Sequence, residues 1–361
     1  MLLCLFLTAG FSGGLTADDG DVLWSFSTFG EGGEDYFYRP SDIEIDHNLS
    51  LIHVVDSANH RIVTFDEKGR LVRIIGREGQ GPGDLFRPTG AFVCEDSNLA
   101  VADYGNNRIQ FFDKNGKFFR SFPCHAGMVA DLFIFKKKIY TISTYGTSGF
   151  RIRPNDSTEF QPLLMVLDEK GEMVRQWTIR DFPEKQPFIR ALKHRVCLAV
   201  SPDGLFFLPH VALNLVHVFD EEGSRQTSFK RDLPFDPVNP TLVSVRSSDD
   251  KSVVQMQARA DMVTQAACFG PEGNLYLLTY GESQTALAEK FKDVETRPQP
   301  KMTIDVLNPD SHEPLRKLTC PSGTRAFGVL RKGRIVTIGE DDSGDIVLRC
   351  IDYSAEIIEF P

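Results

Sequence analysis

Asp56-Ser-Ala-Asn59-His60-Arg61-Ile62-Val63-Thr64-Phe65-Asp66-Glu67-Lys68-Gly69 is echoed 47 positions on by Asp103-Tyr104-Gly105-Asn106-Asn107-Arg108-Ile109-Gln110-Phe111-Phe112-Asp113-Lys114-Asn115-Gly116. Asp, Asn, Arg, Asp and Gly recur at matching places. The segments leading in also match, Phe37-Tyr38-Arg39-Pro40 and Phe86-Arg87-Pro88. A repeat of this length predicts stacked or radial units, because one such unit is too small to bury an apolar face alone.

The unit is legible strand by strand. Ser41-Asp42-Ile43-Glu44-Ile45-Asp46 alternates, and Leu51–Val55, Arg61–Phe65 and Arg70–Ile75 are short β-branched or aromatic runs. Gly, Pro, Asn or Asp bounds each run, which is the punctuation of strands and tight turns. Glu67-Lys68-Gly69 is a hairpin turn ending on a residue that accepts positive φ. Four strands in about 45 residues is the size of one propeller blade.

The pattern Asp-x-x-Asn-x-Arg-Ile-x-x-Phe-Asp-x-x-Gly after a Pro-led strand resembles the NHL repeat, found in propellers of mostly six blades. The resemblance implies an all-β, six-bladed β-propeller of four-stranded antiparallel blades. It implies little about function, since unrelated functions share such scaffolds.

Six blades can be traced. The first two span 37–76 and 86–123. The third opens at Ala130 and reaches Trp177, and the fourth runs from Val196 past Val216–Phe219. The fifth contains Ala266–Phe269, Leu275–Leu278 and Met302–Leu307, and the sixth Ala326–Leu330, Arg334–Ile338 and Ile346–Ile351. The third strand ends in an apolar-Asp pair at Phe65-Asp66, Phe112-Asp113, Leu167-Asp168, Phe219-Asp220 and Ile351-Asp352, with Leu307-Asn308 in the fifth blade. Trp24–Phe29 carries the pattern of a fourth strand and is expected to close the ring at the sixth blade. Glu356–Phe360 competes for that place. Inserts at 145–162, 180–195, 235–263 and 281–300 interrupt the rhythm, the last with a helix expected over Thr285–Asp293.

The chain has 361 residues, 41% of them hydrophobic, and 28 Phe against 8 Tyr and 2 Trp, which suits rings filling the space between sheets. A net charge of −10 argues against nucleic acid as partner. Leu2–Phe11 is apolar and small residues follow it, so residues 1–17 are expected to be a signal peptide and 18–361 a single propeller domain. The expectation is therefore a secreted or periplasmic monomer with no transmembrane segment in the mature chain. The 7 Cys contain no Cys-x-x-Cys and are expected to be buried thiols.

In such a ring the fourth-to-first connections and the second-to-third loops emerge on one face. Arg39 and Arg87 occupy equivalent connections. Tyr104-Gly, Tyr145-Gly and Tyr280-Gly recur at second-to-third loops, and His210 takes that place in the fourth blade. Guanidinium, phenol and imidazole groups round one mouth suit an anionic or glycan-like ligand on a protein or peptide partner. The competing expectation is that these residues brace loops, Arg39 and Arg87 pairing with Asp42 or Glu78. Asp56 with Arg61, and Asp103 with Arg108, are expected to be structural.

Some NHL-like propellers resemble peptidyl-hydroxyglycine amidating lyase, a resemblance that implies zinc on three His. His125, His194 and His210 would then be the ligands, making a metal-dependent lyase or hydrolase the alternative. The first reading assigns no cofactor, with zinc or calcium as the alternatives, and no catalytic residue. No nucleophile elbow, P-loop or dinucleotide fingerprint is present.

Overall fold

Edge-to-edge hydrogen bonding of the short apolar runs builds the molecule. The structure, a computed structural model, describes residues 20–30, 33, 35–124, 129–143, 164–177, 189, 192–193, 195–247, 254–292 and 298–354. Six four-stranded antiparallel sheets follow one another round the ring. The first contains Pro40–Asp46, Leu51–Asp56, Arg61–Asp66 and Leu71–Ile75. The second contains Gly90–Val93, Leu99–Asp103, Arg108–Phe112 and Phe118–Pro123. The third holds Val129–Phe135, Lys138–Ser143, Leu164–Leu167 and Met173–Trp177, and the fourth Ala199–Val200, Phe206–Pro209, Val216–Phe219 and Arg225–Phe229. The fifth holds Thr264–Phe269, Leu275–Tyr280, Met302–Leu307 and Pro314–Cys320.

The sixth sheet is made from both ends of the chain. Thr324–Val329, Arg334–Glu340 and Ile346–Asp352 are joined by Asp21–Phe26, which pairs with Ile346–Asp352 from Asp21↔Asp352 to Phe26↔Leu348. The amino-terminal strand thus takes the fourth-strand place and closes the ring. Residues 355–361, which include the competing Glu356–Phe360, lie outside the described residues, as do residues 1–17.

Burial falls off outward along each blade. Leu51–Asp56 and Leu99–Asp103 are buried throughout, whereas Leu71–Ile75 and Arg225–Phe229 are mostly exposed. The middle strands are sandwiched between neighbouring sheets, and the fourth strand forms the perimeter. Phe65, Phe206 and Phe207 have no exposed surface, and burying such a side chain stabilises by about 2 kcal/mol.

The apolar-Asp ending has a local cause. Asp66 Oδ1 accepts the N–H groups of Lys68 and Arg70, and Asp113 Oδ1 those of Asn115 and Lys117. Asp168 and Asp220 do the same in the next two blades, and Asn308 substitutes in the fifth. The short Asp or Asn side chain therefore ties off the third-to-fourth turns of the first five blades by bonding its own backbone. Gly69 and Gly116 complete two of these turns at φ 76° and 83°.

Candidate functional site on the loop face

The repeated motif is a brace between loop and connection. Asp56 and Asp103 have no exposed surface. Asp56 Oδ2 accepts from Arg61 Nε and Asn59 Nδ2, each at 2.9 Å, and Oδ1 accepts from Tyr38 N at 2.7 Å. Asp103 repeats the set with Arg108 Nε at 2.7 Å, Asn106 Nδ2 at 2.9 Å and Phe86 N at 2.7 Å. Each Arg then reaches the carbonyls of the incoming connection, Tyr36 O for Arg61 and the Gln80, Gly81 and Asp84 oxygens for Arg108. One buried carboxylate thereby fixes the second-to-third loop against the strand that opens its blade.

That anchoring presents Arg39 and Arg87. Both are exposed and both adopt φ 51° immediately before Pro, a left-handed conformation uncommon for a non-Gly residue. Each guanidinium lies 5.7 Å from the ring before it, Tyr38 or Phe86. Neither makes an ion pair among the described residues, and Asp42, the partner considered from sequence, instead accepts the N–H groups of Ile43 and Ala91. Tyr104 is half-buried at the start of a short 3-10 turn, Tyr104–Asn106.

Tyr280 gathers a different set. Its hydroxyl meets Gln265 Oε1 at 3.1 Å. Burial raises the phenol above its ordinary pKa, while the nearby positive groups of Arg195 and Arg325 pull it down. Arg195 is half-buried, and its charge is disfavoured by burial; it feels the Cys197 thiol and the Tyr280 phenol and makes no ion pair among the described residues. Arg325 pairs with Glu340. His210 is fully buried, its Nδ1 against Lys193 O at 2.7 Å and its ring 5.0 Å from His217. It lies in the wall beneath the loops, away from solvent. Tyr145, His125 and His194 lie outside the described residues. Among the described residues no group of three or more His, Cys, Asp or Glu is arranged to hold a metal.

Sequence reasoning missed Arg195, Gln265 and Arg325. A signal existed for two of them. Thr264-Gln265-Ala266 and Thr324-Arg325-Ala326 open the fifth and sixth blades alike, and the strand register shifts across both triplets. Such a bulge re-aims its extra residue, here at the mouth beside Tyr280. Arg195 announces itself less, since it follows an insert rather than a Pro-led strand.

The described parts of two inserts, 235–263 and 281–300, meet near this mouth. Part of the 235–263 insert is a hairpin, Thr241–Ser247 with Val254–Arg259. The helix expected over 285–293 is Gln284–Lys290, capped by Ser283 Oγ accepting from Ala286 N at 3.0 Å. Buried Asp261 ties both inserts together, accepting from Val238 N, Ser283 Oγ and Thr285 N at 2.8–3.0 Å.

Comparison with known proteins agrees with this architecture. The chain is 51% identical over 43 residues to protein lin-41 of Caenorhabditis elegans, a match covering 12% of this chain and 4% of that one. It is 34% identical over 85 residues to a probable peptidyl-alpha-hydroxyglycine alpha-amidating lyase, pgal-1, of the same organism, covering 22% and 24%. The matched stretches are thus a small part of these relatives. Among solved structures, a member of the duf4221 family from Bacteroides vulgatus superposes with TM-score 0.57 at 11% identity, covering 93% of this chain and 99% of that one. A streptogramin B lyase gives TM-score 0.51 at 10% identity, covering 87% and 93%. At these identities the likeness is one of fold. The family described as DUF5128, 6-bladed beta-propeller, matches residues 30–291, most of the chain, and this protein belongs to it.

Proposed function

We propose that this propeller is an exported binding scaffold whose loop face takes an anionic ligand, a carboxylate- or phosphate-bearing peptide, glycan or protein surface. The observation that carries the reading is Arg195: a half-buried guanidinium that feels the Cys197 thiol and the Tyr280 phenol and makes no ion pair among the described residues. Burying a cation without an anion is unfavourable, so the arrangement favours an anion arriving from outside. Tyr280 and Gln265 add hydrogen-bonding groups, and exposed Arg39 and Arg87 extend positive charge along the same family of connections. The test is a peptide and glycan array, followed by calorimetric titration of the best anionic binder. Arg195→Ala is expected to weaken binding at least tenfold, about 1.4 kcal/mol. Unchanged affinity would remove the site. Export is tested by expressing the full chain in a bacterium, where the periplasmic product should lack residues 1–17.

The partial likeness to pgal-1 keeps a lyase as the second reading. It requires a metal, so elemental analysis of protein never exposed to chelator should find about one zinc per chain if it holds. Metal-free protein would leave only the binding scaffold.

A further inference from the structure

The opposite face, where the first-to-second and third-to-fourth turns emerge, carries an open cavity of about 450 Å³ between the third and fourth blades. Lys137, Lys138, Lys170 and Arg175 line it with Val166 and Val174. The sequence explains the convergence. Tyr140 pairs with Val166 and Val166 with Arg175, so these three side chains share one face of the third blade, and Lys138 joins them two residues from Tyr140. Asp168, Glu169 and Glu221 line it too, and two of these three are engaged. Glu221 pairs with Lys136 at 2.7 Å, a bond that with Lys138 behind it holds the carboxyl below its usual range. Asp168 Oδ1 is held by the N–H groups of Lys170 and Glu172. Arg175 donates to Glu222 O at 2.9 Å. Lys137, Lys138 and Lys170 make no ion pair among the described residues.

Two further observations concern the wall behind the cavity and the turn that rims it. The Tyr140 hydroxyl and Trp177 Nε1 are buried and have no hydrogen-bond partner among the described residues, a costly condition for donors inside a protein. Tyr140 feels Glu221 and Arg175, both at the cavity wall. Trp177 Nε1 lies against Gly223 of the adjoining turn, only 2.5 Å from where a Cβ there would sit. The turn that offers the lysines is also strained. Phe135 pairs with Lys138, so Lys136 and Lys137 are the two central residues of a tight hairpin, at φ 47° and 62°. Asn and Gly are the residues that suit such a turn. Local strain of this kind collects at functional sites.

We propose that this cavity binds an amphipathic anion: a small molecule bearing a carboxylate, sulfonate or phosphate on an apolar body. The lysines hold the charge and Val166 and Val174 the body. The site is separate from the loop-face mouth.

The probe is 8-anilinonaphthalene-1-sulfonate, titrated by calorimetry into the full chain, with tryptophan emission followed in Trp24→Phe so that Trp177 reports alone. Saturable binding with quenching of Trp177 is expected. Lys138→Gln should weaken it at least tenfold. Lys137→Asn removes a charge but suits the turn, so it should weaken binding severalfold while leaving the melting temperature unchanged or higher. Arg195→Ala should have no effect. The proposal is overturned if binding is absent, if both lysine variants bind as the parent does, or if Arg195→Ala alone abolishes binding. That last result would put the probe at the loop face and favour the reading given there.

Discussion

At the scale of single residues, the buried carboxylates of the repeat explain why Asp, Asn and Arg recur together. Asp103 accepts from a connection N–H, from Asn106, from Arg108 and from Gln110 Nε2 at 3.0 Å. Arg108 is only 15% exposed, so this is a sequestered pair rather than a surface one. Truncating one partner leaves a buried charge uncompensated, a loss of about 3–5 kcal/mol in comparable cases. Arg108→Leu is therefore expected to lower the midpoint of chemical denaturation by an amount equivalent to about 3 kcal/mol. Arg70→Leu, which removes an exposed pair with Asp66, should change it by less than about 0.5 kcal/mol. Equal effects from the two variants would contradict the distinction. The fifth blade reaches the same end differently: Arg231, nearly buried, bonds Asp305 Oδ2 at 3.1 Å and Thr264 Oγ1 at 2.7 Å. No repeat signals that trio, because its members come from a connection, a first strand and a third strand.

At the scale of elements, the closing strand carries the most testable consequence. Asp21–Phe26 covers the edge of Ile346–Asp352, and Trp24 crosses to the first blade, donating from Nε1 to Glu67 O at 3.0 Å. Its removal would uncover a strand edge able to pair with another chain. A chain lacking residues 18–30 should melt several degrees lower and elute partly as larger species in size-exclusion chromatography. A monomeric profile with the parent's melt would mean the strand is dispensable. This strand was legible from its resemblance to Leu71–Ile75, but its competitor at 356–360 was equally apolar, and apolar pattern does not say which segment reaches an edge first. The blades were legible because period-two alternation and turn chemistry are local. The mouth was only partly so. Tyr280 stood out by its Tyr-Gly, while Arg195 depends on where an insert delivers the chain. His210, read as a loop residue, sits at the end of a second strand in the position that Asp56 holds in the first blade, and so points inward.

At the scale of the whole ring, the first strands of all blades meet around a central channel, and their register determines what lines it. Asp42 and Asp131 each follow the bulge of their first strand, as Ala266 and Ala326 do in the fifth and sixth blades. Two half-buried carboxylates thus face the channel at one level, with Glu44 two residues further along. Burial raises Asp42 to about 6 despite hydrogen bonds from Ala91 and Ile43. Burial and the charge of Asp42 raise Asp131 to about 8, and burial with both Asp neighbours raises Glu44 too. Their folded values lie above those of the unfolded chain, so folding is favoured when they are protonated. Their contribution is complete below about pH 4 and is lost as pH rises through about 6 and then 8. Turn carboxylates such as Asp66 and Asp352 are shifted down and act oppositely, losing their contribution only in stronger acid. The two trends place maximal stability at roughly pH 5 and predict a decline toward pH 8.5. Asp131→Asn removes one of the raised channel carboxyls while keeping the shape of the side chain. Calorimetric melting at pH 5, 7 and 8.5 should show it near the parent at pH 5 and several degrees above it at pH 8.5. A parent melting temperature that rises across this range, or an Asp131→Asn curve parallel to the parent's, would show that these carboxylates are ionised in the folded ring at no cost, and that the channel is as well hydrated as the surface.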